Sequence, residues 1–154
     1  MKSTGNEGEE PVKCSNTMTI MIEIAKGAYL EDVLFASAKS KERQEILSFI
    51  ELAQRMPTEE LVKHVNEHLA MKMFLVGSNI TAADIITCLY VAPYFKELMD
   101  FQKIALCHAF RWIDHVQHLP GFDDLIQSLG LFVTFPDESQ SEPSKAQLKK
   151  LEKI

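Results

Sequence analysis

Residues 76–86 decide the fold, and they read Val76-Gly77-Ser78-Asn79-Ile80-Thr81-Ala82-Ala83-Asp84-Ile85-Ile86. Thr81 and Asp84 have the spacing of a capping box, in which Thr81 accepts from the Asp84 backbone N–H and the Asp84 carboxylate reaches back. The carboxylate also lies at the positive end of the helix dipole. Ile80 and Ile85 have the spacing of a hydrophobic staple, which fixes the angle at which the chain enters a helix. The pattern therefore predicts a helix that begins directly after Thr81.

The helix that follows is predicted to be the centre of the domain. Nearly every residue from 82 to 95 is apolar. A helix that is apolar on all sides has to be surrounded by other helices, so we expect an all-α bundle around it. Pro93 removes one intrahelical hydrogen bond, and we therefore expect a kink or a break between Val91 and Tyr94.

Apolar residues at helical spacing predict further helices on both sides of the central one. Ser40 is placed to cap a helix that Pro57 ends, and Thr58 begins the next helix, which extends to about Ala70 or beyond. Another helix is predicted from about residue 101 to 118, and a short helix from 122 to 129 precedes an extended strap at 131–133. The inward residues of the helix at 101–118 are Ala109, Trp112, Ile113 and Val116.

Length, charge and cysteine content limit the function classes. The chain has 154 residues, which suits one domain, and its net charge of -6 argues against non-specific binding to a polyanion. Its three cysteines are odd in number and lack metal-ligand spacing, which indicates a reducing compartment. No signal peptide or membrane-spanning run is recognisable. We expect a cytoplasmic protein that does not bind a membrane.

Two segments resemble a known family. Residues 76–85 resemble the segment that begins the buried central helix of the C-terminal helical domain of glutathione transferases (GSTs). Residues 108–118, which read His-Ala-Phe-Arg-Trp-Ile-Asp-His-Val-Gln-His, resemble the last long helix of one branch of that superfamily. This branch contains the non-catalytic domains of aminoacyl-tRNA-synthetase cofactors, namely the fungal tRNA-binding cofactor and the animal multisynthetase-complex scaffold proteins. The resemblance spans roughly Lys41 to Phe135.

The resemblance implies an all-α, GST C-terminal-like helical bundle with three regions. Residues 1–38 would be a flexible N-terminus and a truncated remnant of the thioredoxin-like half, with Pro11-Val12 matching a strand and Thr17–Lys26 its last helix. Residues 39–136 would be the helical domain, and residues 137–154 a polar-to-basic linker. tRNA would then be bound only through a further C-terminal region outside these residues, as expected for an excised domain of a longer protein.

We expect no catalytic residue, no cofactor and no metal. The residue that activates glutathione in the transferases lies in strands that this chain lacks, and their acid–Ser pair is replaced by Asn16-Thr17. Residues 64–68 match H-x-x-E-H, the inverted zinc-protease motif, but the inward positions of Val65 and Leu69 predict that both histidines face solvent. Cys88 is expected to be a small buried hydrophobe, and Cys107 lacks a neighbouring cation other than His108.

The resemblance also implies a docking surface. In relatives, the Arg of the matching Arg-Trp pair stacks on its counterpart across a helix–helix interface and bonds to the loop before the partner's buried helix. Arg111 matches that Arg, and residues 77–79 match that loop, which here lacks the usual acid. Helical spacing places three more polar residues on the same outer stripe as Arg111. The expected partner-binding residues are Arg111, Asp114, His115, His118, Gly77, Ser78 and Asn79.

The implied partners are aminoacyl-tRNA synthetases that carry GST-like domains, and a homodimer through the same surface is a further expectation. The protein would act as a scaffold in translation. Two alternatives stay open. One is a catalytic or ligand-binding relative of the transferases. The other is the corresponding domain of translation elongation factor 1 gamma or of a synthetase itself, which would differ in what it is joined to.

Overall fold

The computed structural model describes residues 17–134, and this part of the chain is all-α, as the sequence predicts. Between residues 17 and 134 it contains eight α-helices, one 3₁₀ turn and no strand. The elements are α1 (Thr17–Gly27), α2 (Glu31–Phe35), α3 (Lys41–Arg55), α4 (Thr58–His68), the 3₁₀ turn (Leu69–Met71), α5 (Ala82–Glu97), α6 (Asp100–Ala105), α7 (Cys107–Gln117) and α8 (Phe122–Ser128). The predicted strand at Pro11-Val12 and the linker at 137–154 lie outside the described residues.

Helix α5 lies at the centre of the bundle and packs against α3, α4 and α7. It begins at the predicted capping box, and Ser40 caps α3 by accepting from the Arg43 backbone N–H at 3.1 Å. Burial is not uniform around α5, because Tyr90 and Pro93 are exposed. Of the predicted kink or break between Val91 and Tyr94, the break is wrong, since α5 continues to Glu97. Pro93 lies on the exposed side, where water can hydrate the carbonyl that its missing N–H leaves unpaired.

The single helix predicted from residue 101 to 118 is two helices, α6 and α7, and this prediction is wrong. Leu106 leaves the helical conformation, with φ -104° and ψ 39°. The side-chain amide oxygen of Asn66, on α4, accepts from the backbone N–H groups of His108 and Ala109, both at 3.0 Å. These N–H groups have no intrahelical acceptor in a first turn. A side chain from another helix therefore caps α7.

The predicted strap at residues 131–133 is not helical and packs back onto the bundle, with Val133 buried and Leu131 and Phe132 partly buried against the core. The buried Gln117 amide donates to the Val133 carbonyl at 2.9 Å and accepts from the Val133 N–H at 3.0 Å. Gln117 thus pairs with Val133 in the way that a neighbouring strand would. Lysine side chains fix both ends: Lys96 donates to the Gly130 carbonyl, and Lys103 to the Thr134 carbonyl at 3.5 Å.

Helices α1 and α2 form an apolar surface beside the first turns of α5. A groove of about 200 Å³ lies between these three helices and has only apolar lining, including Met21, Leu34 and Ile86. We call it the α1–α2 groove. Several large apolar side chains on α1, on α2 and between them are also exposed: Ile20, Ile24, Tyr29, Leu30 and Val33.

Candidate docking surface

Asp84 is the polar centre that fixes the start of α5. Its side chain is fully buried and accepts four hydrogen bonds. One carboxylate oxygen, Oδ2, accepts from the Thr81 backbone N–H at 3.0 Å and from the Thr81 hydroxyl at 3.1 Å. The other, Oδ1, accepts from the Leu75 N–H and from Trp112 Nε1, both at 2.9 Å. The predicted cap therefore also joins α5 to α7 and to the segment before it.

Burial favours the protonated form of Asp84. The pKa of its carboxyl group is raised above the ordinary value because desolvation outweighs the bonds from Leu75, Trp112 and Thr81, which favour the carboxylate. Ile80 and Ile85, the predicted staple, are half-buried and pack against the core. The residues predicted to form the cap thus lie together at the start of α5.

Arg111 connects α7 to the end of α4. Its Nη2 donates to the carbonyls of Leu69 and Lys72, both at 3.0 Å. These carbonyls lie at the start of the 3₁₀ turn and directly after it, where backbone acceptors are left over when a helix ends. The side chain is still exposed, as the sequence predicts, but the guanidinium also has a structural role that the sequence did not indicate.

A shallow cavity of about 480 Å³ borders Arg111. Its lining comes from the 3₁₀ turn and the residues after it, and from α7: Ala70, Met71, Lys72, Met73, Arg111, Trp112 and His115. Met71 is 95% exposed and Met73 is 64% exposed, so two large apolar side chains extend into solvent beside the guanidinium. We call Met71, Met73, Arg111 and His115, with the cavity between them, the Arg111 surface. The sequence did not mark the two methionines as candidate site residues.

The four residues predicted on the outer stripe of α7 divide into two pairs. His115 belongs to the Arg111 surface, where its ring lies 5.5 Å from the ring of Phe74. Asp114 and His118 instead lie towards the strap: His118 Nδ1 is 2.7 Å from the Asp114 carbonyl, and its ring meets Phe132 at 5.4 Å. The structure therefore does not place all four in one patch.

The predicted loop residues Gly77, Ser78 and Asn79 are exposed. Gly77 has φ +64°, a conformation that favours glycine. A Cβ at Gly77 would lie 3.6 Å from Oε1 of Glu42 on α3, so the loop borders α3. Among residues 17–134 no hydrogen bond joins it to Arg111. Contact between Arg111 and this loop in a partner stays a prediction.

The other candidate residues have structural explanations. His68 is half-buried, with Nε2 2.8 Å from the Leu75 carbonyl and its ring 4.8 Å from that of Phe49. The prediction that both histidines of the H-x-x-E-H match face solvent is therefore wrong for His68 and right for His64. Cys88 is buried, as predicted, and burial raises the pKa of its thiol to about 12. Cys107 is exposed at the first position of α7.

No group of three or more His, Cys, Asp or Glu side chains within residues 17–134 could hold a metal ion. None of the helices there is long and apolar enough to cross a membrane.

Comparison with protein families and relatives gives a consistent result. Residues 44–120 match the family model described as "Nuclear-export cofactor Arc1p". A protein of Mus musculus named "Eukaryotic translation elongation factor 1 epsilon-1" is 29% identical in an alignment 117 residues long, and this alignment covers 72% of this chain and 67% of that protein. The Homo sapiens protein of the same name is 32% identical over 69 residues, or 45% of this chain and 40% of that protein.

The fold is also found in a solved structure. The crystal structure of the GST-like domain of elongation factor 1-gamma from Saccharomyces cerevisiae aligns with a TM-score of 0.65 and 15% identity. The alignment covers 85% of this chain and 73% of that domain. At this identity the likeness concerns the fold alone, and it confirms the GST-like helical bundle.

Proposed function

Because the chain belongs to the family of the nuclear-export cofactor Arc1p, we propose that it is a non-catalytic interaction domain that docks onto GST-like domains of aminoacyl-tRNA synthetases. In this role it would be part of a tRNA-binding cofactor or a multisynthetase complex. The observation that carries the proposal is the Arg111 surface. There a fixed guanidinium lies next to two exposed methionines and a cavity.

The fixed position of Arg111 suits docking. Its two bonds to backbone carbonyls hold the guanidinium plane before a partner arrives, which reduces the entropy lost on binding. A planar guanidinium can stack on a partner and still form hydrogen bonds, and arginine is enriched among the residues that dominate binding energy. Exposed methionines supply adaptable apolar contact area beside it. Lysine at position 111 would reproduce neither the stacking nor the forked hydrogen bonds.

The buried Cys88 is poorly suited to act as a nucleophile. The buried thiol of Cys88 has a pKa of about 12, so it carries almost no thiolate at neutral pH. We expect no glutathione conjugation with a generic electrophile at millimolar glutathione. A turnover that a single Ser or Cys substitution abolishes would favour the enzyme alternative.

The decisive experiment is calorimetric titration of the full chain with the isolated GST-like domain of each cytosolic synthetase that has one. Arg111→Ala should weaken the interaction by about 2 kcal/mol or more, in the range of dominant interface residues. Arg111→Lys should lose most of that amount as well. Arg55→Ala is the matched control, because Arg55 is an exposed arginine on α3 whose ion pair is with Glu51 of the same helix. Equal affinities for wild type and Arg111→Ala would remove Arg111 from the interface.

A second candidate is association with elongation factor 1. The names of the Mus musculus and Homo sapiens relatives favour it. Parallel titration with the GST-like domain of elongation factor 1 gamma separates the two candidates. Binding to that domain together with no binding to any synthetase domain would replace the synthetase proposal.

Two further expectations belong to this function. The chain should be cytoplasmic, which microscopy of a fluorescent fusion in living cells can check. It should bind tRNA weakly and in a salt-sensitive way, because its net charge of -6 opposes phosphate contacts. Tight tRNA binding that persists in moderate salt would contradict this expectation.

A further inference from the structure

The α1–α2 groove is an apolar site that the proposed function does not use. Its walls come from α1, α2 and the first turns of α5, and it shares no lining residue with the cavity beside Arg111. Ile24 and Leu30 line it and are 66% and 45% exposed. Open apolar area of this kind marks a place where another segment or molecule binds. An occupant of the groove has to supply apolar side chains.

The turn after α1 places a strained residue beside the groove. The Leu30 N–H donates to the Ala25 carbonyl at 2.8 Å. The Tyr29 N–H donates to the Lys26 carbonyl at 3.0 Å, which completes the bond pattern of a Schellman motif. Tyr29 has φ +57° at the position where glycine is usual, and its side chain is 94% exposed, so burial does not offset the strain. Strained residues of this kind cluster at functional sites, and both neighbours of Tyr29, Ala28 and Leu30, line the groove.

The two helices that flank the groove carry more acidic than basic side chains. Helices α1 and α2 contain Glu23, Glu31 and Asp32 but a single lysine, Lys26. Glu23 pairs with Lys26 at 2.8 Å, and Glu31 pairs with Arg43 of α3, also at 2.8 Å. Asp32 is exposed and forms no ion pair within residues 17–134. Charge complementarity therefore favours an occupant that is both apolar and basic.

Residues 145–154 of the same chain combine these two properties. They read Lys-Ala-Gln-Leu-Lys-Lys-Leu-Glu-Lys-Ile, with four lysines and one glutamate. Leu148, Leu151 and Ile154 recur every three residues, which on a helix would give one apolar stripe. Residues 1–16 contain three glutamates and two lysines and have no such stripe. Their charge has the same sign as that of α1 and α2, so they suit the groove less well.

The chain between the strap and this segment is long enough to reach the groove. The described residues end at Thr134, and Leu148 follows 14 residues later. An extended chain spans at most about 3.3–3.6 Å per residue, so this stretch could span up to roughly 46–50 Å. A compact domain of this size is only roughly 35 Å across. A segment on such a tether has an effective concentration of about a millimolar, at which even a weak contact forms.

We propose that residues 145–154 bind the α1–α2 groove of their own chain, with Leu148 and Leu151 against its apolar walls and the lysines near the acidic residues of α1 and α2. The contact goes beyond the proposed function, because it uses none of the Arg111 surface. A synthetase domain on that surface and the segment in the groove can therefore be bound at the same time.

A photo-crosslinking residue in place of Leu151 tests the position of the segment. In the full chain at low micromolar concentration, its products should lie within one chain and fall in residues 21–35 or 82–86. The same residue in place of Lys149, on the opposite side of a helix from Leu151, is the control and should give fewer of these products. Mixing isotope-labelled and unlabelled chains separates products within one chain from those between two. Products between two chains, products confined to other residues, or none would overturn the proposal.

A substitution in the groove tests its other side. In the chain with the photo-crosslinking residue at position 151, Ile24→Ser should lower the yield of groove products about fivefold or more, because the groove loses apolar contact area. Ile104→Ser is the matched control, since Ile104 is 51% exposed on α6 and does not line the groove. Circular dichroism checks that both variants keep the fold. Equal yields in the two variants would contradict binding in the groove.

A dye that fluoresces in apolar surroundings should compete with the segment for the groove. The full chain with Leu148→Ser and Leu151→Ser together should bind the dye with an apparent dissociation constant about threefold or more below that of wild type, because the tethered competitor is lost. Ala146→Ser, which lies off the apolar stripe, should leave that constant unchanged. Equal dye affinity in wild type and the double variant would overturn the segment as occupant.

Titration of the double variant with a synthetase domain that binds wild type separates this inference from the proposed function. The affinity should equal that of wild type, and a changed affinity would overturn the independence of the two surfaces. Absence of synthetase binding together with groove cross-links would contradict the proposed function and leave this inference standing. Synthetase binding without groove cross-links would do the reverse.

Discussion

Trp112 Nε1 donates to Asp84 Oδ1 at 2.9 Å, and this bond joins α7 to the first turn of α5 inside the core. Both side chains are buried. The residue next to Trp112 is Arg111, which forms one side of the cavity. The capping residue of the central helix and the proposed docking surface are therefore connected through two neighbouring residues of α7.

The first prediction concerns this bond. Asp84→Ala should lower the free energy of unfolding by about 3–5 kcal/mol, because it leaves buried N–H donors without an acceptor. Trp112→Phe removes one of those donors. A double-mutant cycle in urea should give a coupling of about 1.5–3 kcal/mol between the two positions. Asp124→Ala, at an exposed aspartate in the first turn of α8, is the control. Additive effects of the two core substitutions would contradict a direct bond.

Thr81→Ala should lower the free energy of unfolding by about 0.5–2 kcal/mol, because it removes the hydroxyl that bonds to Asp84 at the start of α5. Thr81→Ser keeps a hydroxyl at the same position and should recover most of the loss. Thermal midpoints measured by circular dichroism decide between the variants. An alanine variant as stable as wild type would show that the Thr81 hydroxyl does not contribute to the stability of the fold.

The raised pKa of Asp84 has a consequence for pH dependence. The folded chain holds the Asp84 proton at a pH where the unfolded chain has lost it. The stabilisation from this proton is complete below the unfolded pKa and is lost as the pH rises through the folded pKa. As the pH rises above about 4, the unfolding free energy of wild type should therefore decrease relative to that of Asp84→Asn. Urea titrations at several pH values measure it, and a constant difference would contradict the direction of the shift.

Asn66→Ala should destabilise the domain by about 1–2 kcal/mol, because two N–H groups in the first turn of α7 lose their acceptor. Hydrogen exchange at His108 and Ala109 should become faster. Asn79→Ala is the control, since Asn79 is exposed in the loop before α5 and should change stability by less than about 0.5 kcal/mol. Unchanged exchange at both amides in Asn66→Ala would contradict the cap.

Gln117→Ala should cost about 2–3 kcal/mol, because it removes both hydrogen bonds to Val133 and leaves two buried backbone groups unpaired. The amide of Val133 should then exchange much faster than in wild type. Gln127→Ala, at an exposed glutamine of α8, provides the comparison. Val133 protection that survives in Gln117→Ala would show that packing alone holds the strap.

Local spacing was enough to predict the central helix, its cap at Thr81 and the inward face of α7, because each depends on residues a few positions apart. The donors that reach Asp84 from Leu75 and Trp112 could not be found this way, since they meet only when the chain folds. The same reason explains the missed break at Leu106, where the capping Asn66 lies about forty residues earlier. Helical spacing made no prediction for Met71, because it lies beyond the predicted stripe of Leu61, Val65 and Leu69, in a 3₁₀ turn at Leu69–Met71.

The α1–α2 groove affects how this protein can be assayed. Dyes whose fluorescence increases in apolar surroundings should bind the groove in the native state, because its lining is entirely apolar and open to solvent. A dye-based melting curve would then begin at high fluorescence, and the increase in fluorescence on unfolding would be small. Trp112 is a better reporter, since it is the single tryptophan and is buried with its indole N–H bonded to Asp84. Its emission should shift to longer wavelength only when the core opens.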